Sequence, residues 1–242
     1  DLTVKAFNLS EKYRVPVLLM SDEVSGHMME RVVIPPADEI EVINRKVFTG
    51  PKDEYLPYTA DADLVPPMVA AGDGYRIHTT GLTHDERGYP AMSADAHDVL
   101  VRRLCNKILH NIDDIVILEE HYLDDAEVVV VSYGISARIS YLAVELAREA
   151  GIKCGMLRLV TVWPFPEQRI RELAGNVNAF VVPEINLGQV VLEVERCAGG
   201  KAETHLVGNA GGHVILPTEI LEAIKSAASG ARQESREPAY AD

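Results

Sequence analysis

The stretch AEVVVVSYGISARISYLAVELAREAGIKCGMLRLV, residues 126–160, decides the fold class of this chain. It begins with an unbroken apolar run at 128–131, which is typical of a strand buried on both faces. A helical stripe of apolar side chains follows, at Ile135, Ile139, Leu142 and Leu146. Gly151 is placed to end that helix, and another strand is predicted near residues 154–160. The stretch therefore predicts a strand, a helix and a strand of one parallel sheet.

The same alternation continues toward the C-terminus. The sequence predicts a helix after Pro164, a strand at 179–182, a helix at 189–197, a strand near His205, and a last helix on Ile220, Leu221 and Ile224. Strands and helices that alternate at this spacing predict an α/β domain with helices on both faces of a parallel sheet. We assign this domain to residues 126–228, and predict a flexible tail at 229–242 because that segment is polar and lacks periodicity.

The first residues predict a helix and then a strand. Apolar positions recur at helical spacing at Leu2, Ala6, Leu9 and Tyr13. An apolar run at 15–20 follows and ends in the polar cluster Ser21-Asp22-Glu23. A helix that feeds a buried strand is half of a βαβ unit, so the chain is expected to begin inside a domain, whose last part is residues 1–34.

Between these two regions, residues 35–125 predict an irregular arm and a connecting helix. Proline and glycine interrupt the sequence at short intervals as far as Pro90, and long irregular stretches in globular proteins are usually functional loops, interface arms or disorder. Apolar and aromatic side chains along the arm favour one that wraps another surface. Ser93 is placed to cap a helix whose stripe is Leu100, Leu104 and Ile108, and a short strand is predicted at 115–118.

Composition and charge exclude several classes of protein. The hydrophobic fraction of 47% predicts a substantial core, and no apolar run is long enough to cross a membrane. The net charge of −14 disfavours a nucleic-acid partner. Three cysteines lie far apart and the histidines are scattered, so we predict no metal held by this chain and a cytoplasmic location with reduced thiols.

Ligands of open α/β sheets bind beyond the carboxyl ends of the strands, and two turns there are candidates. The first, 132–136, carries Gly134 and a serine that can cap the next helix. Its helix N-terminus could receive an anion, although an ordinary helix cap is the favoured interpretation. The missing GxGxxG pattern argues against a dinucleotide site.

The second turn, residues 183–189, brings Glu184, Asn186 and Gln189 to the end of a strand and the start of a helix. These side chains are candidates for a ligand contact or a contact with a neighbouring subunit. Glu184 has no visible partner for acid–base catalysis. Capping or an interface role is therefore favoured over catalysis.

The densest group of reactive side chains lies in the arm, at residues 79–89. His84 is adjacent to Asp85, which suits an oriented imidazole, and Arg87 suits a carboxylate. A loop that closes over a partner and a substrate contact are equally compatible with this cluster.

Four stretches of the chain together resemble one family. They are DLTVKAFNLSEKYRVPVLLMSDEVSGHM (1–28), GDGYRIHTTGLTHDERGYP (72–90), LRLVTVWPFP (157–166) and VVPEINLGQ (181–189). In this order they resemble the alpha subunits of 2-oxoacid:ferredoxin oxidoreductases, and most closely the short alpha chains of the 2-oxoglutarate type. The resemblance implies that residues 1–34 end a thiamine pyrimidine-binding domain and that residues 126–228 are a transketolase C-terminal-like domain.

The resemblance also implies an activity, cofactors and partners. Such enzymes decarboxylate a 2-oxoacid oxidatively, with CoA, to acyl-CoA, CO2 and reduced ferredoxin. They use thiamine diphosphate, Mg and [4Fe-4S] clusters, held mainly by partner subunits: a thiamine-binding beta subunit, with gamma and delta subunits as further candidates. The family stretches that contact the thiamine ring and the substrate carboxylate are expected upstream of Asp1, so no catalytic residue is carried over. The alternative is a non-catalytic α/β module for subunit assembly.

Overall fold

A computed structural model describes residues 1–231 and divides the chain into two units. The first unit contains residues 1–20 and 29–115, and the second contains residues 21–28 together with the chain from 116 onward. The tail predicted at 229–242 lies outside the described residues from 232 onward.

The helices and strands are numbered in chain order. The helices are α1 (Leu2–Tyr13), α2 (Glu23–His27), α3 (Ala94–Leu109), α4 (Ile112–Ile115), α5 (Gly134–Glu149), α6 (Glu167–Ala174), α7 (Val190–Ala198) and α8 (Pro217–Ala228). The strands are β1 (Leu118–His121), β2 (Val128–Ser132), β3 (Cys154–Leu159), β4 (Ala179–Glu184) and β5 (Glu203–Gly208). Two short 3-10 helices, Ala37–Glu39 and Lys52–Glu54, lie in the irregular stretch.

The second unit is built on one sheet with strand order β1-β3-β2-β4-β5. The four strands from β2 to β5 are parallel, as predicted. At one edge the sheet gains a further strand from outside the predicted domain, β1, which is antiparallel to β3. The link from β1 to β2, residues 122–127, is too short for the crossover that two parallel strands need, so the chain reverses there.

Helices cover both faces of this sheet, as the alternation predicted. On β2, Val129 and Val131 pack with α6 and α7 on one face. Val128 and Val130 pack with α5 and α8 on the other face. All four valines are fully buried, which is why this strand is an unbroken apolar run and not an alternating one.

The first unit has a smaller core where α1 meets the region of α3 and α4. Tyr13, Val65, Ile108 and Ile115 are its buried members. The Tyr13 hydroxyl donates a hydrogen bond of 2.6 Å to the Asp114 carboxylate, and burial next to this carboxylate raises the pKa of the phenol strongly. The predicted Ser93 cap is confirmed by a hydrogen bond from the Ala96 amide to the Ser93 hydroxyl. Of the predicted face of α1, Leu9 and Tyr13 join this core, whereas Leu2 is 42% exposed.

The irregular stretch has an aromatic cluster of its own. Phe48, Tyr55 and Tyr75 meet with ring centroids 5.1 to 6.0 Å apart, and Tyr55 is buried. Tilted and edge-to-face contacts of this kind stabilise small clusters beyond the area that they bury. The stretch is therefore ordered by packing and not by a strand ladder.

Two short predicted strands differ in the structure. Residues 15–20 form no strand and belong to no ladder among residues 1–231, and Leu18 and Met20 are more than four-fifths exposed. An apolar run needs a neighbouring strand to become part of a sheet, and none of the described residues provides one. The strand predicted at 115–118 begins instead at Leu118 because α4 occupies the preceding residues. None of the described helices is long and apolar enough to span a bilayer.

Candidate functional site at the carboxyl edge of the sheet

The order of the strands creates a crevice at one edge of the sheet. From β2 the chain goes to β3 on one side and then crosses to β4 on the other side. In open α/β sheets, ligands bind at this type of switch point, beyond the carboxyl ends of the two diverging strands. Here β2 ends at Ser132 and β4 ends at Glu184. These two residues lead into the turns at 132–136 and 183–189 that the sequence singled out.

Glu184 is fully buried at the end of β4. Its carboxylate accepts hydrogen bonds from the backbone amides of Val190 and Val191, at 3.0 and 2.8 Å, and a longer one from the amide of Gln189. These amides begin α7 and have no partner inside the helix. The carboxylate therefore occupies the anion position of this helix N-terminus, where the helix dipole stabilises negative charge.

Two side chains complete the shell of Glu184. The Tyr133 hydroxyl donates to Glu184 Oε2 at 3.1 Å, and Asn186 Nδ2 donates to the same oxygen at 3.1 Å. Asn186 Oδ1 accepts from the Gly188 amide at 2.7 Å, which closes the turn. Burial, and then the charge of Glu184, raise the pKa of Tyr133 to about 12. The phenol thus stays a neutral donor to the carboxylate at physiological pH.

The three residues predicted in this turn come together, but in different ways. Glu184 and Asn186 contribute side chains, while Gln189 contributes its backbone amide and its side chain is exposed. Tyr133 is a member that the sequence did not single out. Its only signal was a polar aromatic residue directly after a buried strand.

The other turn of the crevice also receives a carboxylate of this chain. Asp22 Oδ2 accepts a hydrogen bond of 2.7 Å from the Ile135 amide at the start of α5, 113 residues later in the sequence. A Cβ on Gly134 would lie 2.3 Å from that oxygen, and the φ of Gly134 is +54°. Both observations explain the glycine. The cap expected from the serine in this turn is supplied by Asp22.

The two helix N-termini at the crevice are therefore capped by Glu184 and Asp22. A phosphate group brought to either position would meet a carboxylate, and like charges repel strongly at such distances. This geometry agrees with the sequence argument against a dinucleotide site. At this crevice the two carboxylates hold the turns before α5 and α7 in place, and they occupy the helix ends where an anionic cofactor would bind.

Replacing Asp22 is expected to loosen the start of α5. Asp22→Ala removes the acceptor of the Ile135 amide and the negative charge at a helix N-terminus, so we expect a loss of about 1–2 kcal/mol in the free energy of unfolding. Amide exchange at Ile135 should accelerate more than exchange at the middle of α5. Asp22→Asn keeps an acceptor and should lose less. Unchanged exchange at Ile135 in Asp22→Ala would contradict the proposed cap.

The reactive loop at residues 79–89 belongs to the first unit. Asp85 Oδ1 accepts from the backbone amides of Arg87 and Tyr89, at 3.0 and 2.9 Å, so this carboxylate shapes the turn and does not contact the His84 ring. The His84 ring lies against the Tyr58 ring, with centroids 3.8 Å apart and planes tilted by 37°, and its Nδ1 lies 3.0 Å from the Asp85 carbonyl oxygen. The Arg87 side chain is exposed. Of the three predicted residues, Arg87 is the exposed one, while His84 and Asp85 are half-buried.

Known families match the two regions separately. The model described as "Pyruvate flavodoxin/ferredoxin oxidoreductase, thiamine diP-bdg" matches residues 1–103. The model described as "Pyruvate:ferredoxin oxidoreductase core domain II" matches residues 126–220. Together with the mostly parallel α/β sheet, these matches define the class, and the chain belongs to the 2-oxoacid:ferredoxin oxidoreductase family, as alpha-subunit sequence.

Several relatives with curated names resemble the chain over nearly its whole length. The chain is 48% identical, over 93% of its length and 60% of the relative, to "2-oxoglutarate synthase subunit KorA" of Methanothermobacter marburgensis. Identity to the subunit of the same name in Methanocaldococcus jannaschii is 46%, over 93% of the chain and 59% of the relative. For "Ketoisovalerate oxidoreductase subunit VorB" of Methanothermobacter thermautotrophicus it is 34%, over 94% and 57%. The chain thus spans about 60% of the length of these relatives.

One solved structure resembles the chain over most of its length. It is "2-oxoglutarate:ferredoxin oxidoreductase from Magnetococcus marinus with 2-oxoglutarate, coenzyme A and succinyl-CoA bound", with a TM-score of 0.83 and 25% identity. The match covers 94% of this chain and 40% of the chain in that structure. The predicted fold and the predicted family are confirmed.

Proposed function

We propose that this chain is part of the alpha subunit of a 2-oxoglutarate:ferredoxin oxidoreductase. The enzyme would decarboxylate 2-oxoglutarate with CoA, releasing CO2 and the acyl-CoA and passing the electron pair to ferredoxin. The observation that carries this proposal is the 48% identity to 2-oxoglutarate synthase subunits over nearly the whole chain, compared with 34% for the ketoisovalerate relative. A cytoplasmic location is part of the proposal, supported by three free thiols.

The proposal keeps the domain assignment made from sequence. Residues 1–34 would end the thiamine pyrimidine-binding domain, residues 35–125 would form an arm and connecting helix, and residues 126–228 would form the transketolase C-terminal-like domain. The boundary near residue 126 is supported by the start of the core domain II match at that residue. The thiamine-binding family match over residues 1–103 supports a place beside the thiamine site for the first region.

In this proposal the metal-containing cofactors lie on partner subunits. Within residues 1–231, no group of three or more His, Cys, Asp or Glu side chains is arranged to hold a metal ion. Cys154 and Cys197 are buried, whereas Cys105 is exposed. Burial raises the pKa of the Cys154 thiol to about 12. These residues do not fit the thiolate ligands that an iron–sulfur cluster requires. The proposal keeps the diphosphate, its Mg and the [4Fe-4S] clusters mainly on partner subunits: the thiamine-binding beta subunit, with gamma and delta subunits as further candidates.

The predicted site residues receive different roles. Arg87, exposed at the tip of its loop, is proposed to pair with a carboxylate of a partner subunit or substrate, while His84 and Asp85 hold the loop that presents it. Glu184 and Asn186 are proposed to hold the 183–189 turn, with the Gln189 side chain at its outer surface. None of these residues is proposed to be catalytic.

Co-expression with the thiamine-binding beta subunit of the same organism tests the proposal. We expect native mass spectrometry to show a hetero-oligomer. We also expect viologen reduction to require CoA and the complete complex, with 2-oxoglutarate turned over faster than pyruvate or 2-oxoisovalerate. Turnover by the chain alone would contradict the assignment of the cofactors to partners, and a preference for 2-oxoisovalerate would contradict the assigned substrate.

The alternative, a module that serves assembly alone, gives a different result in the same experiment. It is supported by the structural use of Glu184 and Asp22, which leaves the crevice without a free acid or base. A stable hetero-oligomer that reduces no viologen with any 2-oxoacid, although the partner carries its cofactors, would favour this alternative.

A further inference from the structure

A cavity of about 260 Å³ lies in the first unit, between the loop at residues 79–89, the end of α1 and the helix α3. Its polar wall is formed by Arg14 at the end of α1, by Arg103 and Lys107 on α3, and by Tyr58 and Thr80. Arg103 and Lys107 are four residues apart, and therefore lie on the same face of α3. Three cationic side chains thus meet in one concave surface of a chain whose net charge is −14.

Lys107 is buried to 1% exposure, although its side chain ends in an ammonium group. Its Nζ has one hydrogen bond, of 3.3 Å to the Arg14 carbonyl oxygen, and an ammonium group can donate three. Burial, and then the charges of Arg103 and Arg14, lower the pKa of Lys107 to about 8. Burying an ammonium group without a counter-ion costs free energy. An anion bound beside Lys107 would offset part of that cost.

Arg14 is fixed in position before any ligand arrives. Its Nη1 donates to the carbonyl oxygens of Pro57 and Pro66, at 2.5 and 3.4 Å, and its guanidinium lies over the Tyr58 ring at 5.0 Å. Within the described residues both hydrogen bonds come from Nη1, so Nε and Nη2 of Arg14 are available to a ligand. Arg103 lies near Arg14, and burial, followed by the charge of Arg14, lowers the pKa of Arg103.

No acidic residue compensates these cations within the described chain. Among residues 1–231, no carboxylate lines the cavity or forms an ion pair with Arg14, Arg103 or Lys107. By contrast, the adjacent Arg102 pairs with Asp98 at 2.7 Å. In this part of the chain the three cations that face the cavity therefore lack the kind of carboxylate partner that their neighbour Arg102 has.

We propose that this cavity binds a small organic anion, whose phosphoryl or carboxylate group lies between Arg14, Arg103 and Lys107. Guanidinium and ammonium donors together suit oxyanions of both kinds. The rest of the wall contains Leu82, Leu100 and Leu104. An organic body beside the anionic group would cover these leucines, which inorganic phosphate would leave in water.

Matched small probes test the pocket in this chain. Phenyl phosphate and benzoate share the apolar body and differ in the anionic group, and inorganic phosphate lacks the body. We expect calorimetry at constant ionic strength to show that at least one of the two aromatic probes binds tighter than inorganic phosphate. The one that binds tighter identifies the anionic group. NMR of the Lys107 side chain should show its pKa rising when the probe is bound, because the anion favours the charged form.

Two substitutions on α3 separate a specific pocket from general attraction of anions. Arg103→Gln should weaken binding of the tighter probe at least tenfold, while Arg102→Gln, which removes an equal charge next to it, should leave binding unchanged. Equal weakening by both variants, or equal binding of chloride, would overturn the proposal. The tighter aromatic probe should also bind to the complex of this chain with the beta subunit. The existence of that complex rests on the proposed function. If the complex excludes the probe, a partner side chain fills the cavity and the small-molecule proposal is wrong.

Discussion

Glu184→Ala is expected to destabilise the second unit by about 4 kcal/mol. The substitution leaves the amides of Val190 and Val191 and the Tyr133 hydroxyl without their acceptor in a fully buried place. Each buried donor left without a partner costs about 1–3 kcal/mol, and the carboxylate also interacts favourably with the N-terminus of α7. Urea unfolding monitored by amide exchange in β4 and α7 measures the loss.

Glu184→Gln is the matched control for charge and shape. It keeps the volume, but both oxygens of Glu184 accept hydrogen bonds, so either orientation of the amide places an NH2 group against a donor. We expect a loss of about 2 kcal/mol. Glu222→Gln on the exposed surface of α8 should change stability by less than about 0.5 kcal/mol. If Glu184→Ala were as mild as Glu222→Gln, the anion position assigned to Glu184 would be wrong.

Lys107→Met is expected to stabilise the first unit at neutral pH. A fall of the Lys107 pKa from 10.5 to about 8 means that folding disfavours the charged form, and one pKa unit corresponds to about 1.4 kcal/mol. The charged form therefore costs about 3 kcal/mol. Removing the amine also removes the bond to the Arg14 carbonyl oxygen, worth about 1 kcal/mol. The expected net gain is about 2 kcal/mol in ligand-free buffer.

The pH dependence of this gain follows from the sign of the shift. Between about pH 8 and 10.5 the unfolded wild-type chain binds more protons at Lys107 than the folded chain, so wild-type stability rises with pH through that window. The advantage of Lys107→Met should be largest below pH 8 and should shrink as the pH approaches 10.5. Lys225→Met, which removes an exposed lysine paired with Glu222 on α8, should give no comparable gain in stability at neutral pH. A gain that stays constant across the window would contradict the buried charge.

Much of the second unit was predictable because its signals are local. The strand β2 is buried on both faces and appears in the sequence as an unbroken run of valines. The helix α5 is buried on one face and appears as an apolar stripe at helical spacing. Glu184 and Asn186 were found because the carboxyl edge of a parallel sheet gathers polar turns. The family resemblance added the type of enzyme, from four separated stretches in one order.

The errors come from pairings that no local pattern encodes. The run at 15–20 has the composition of a buried strand but has no ladder partner among the described residues. Strand direction at β1 depends on the link that follows it, which is why the apolar pattern gave no warning of an antiparallel edge. Leu104, expected on the buried stripe of α3, is 41% exposed, while Lys107 is buried.

By itself, the sequence determined the alternation of strands and helices, the positions of the candidate turns and the family. Only the tertiary structure decided which charges meet. The Asp22 carboxylate reaches the start of α5 across 113 residues, and Lys107 is buried beside Arg14 and Arg103 without a counter-ion. Burial of apolar side chains acts through periodicity along the chain, whereas electrostatic interactions depend on distances through space, which only the folded chain fixes.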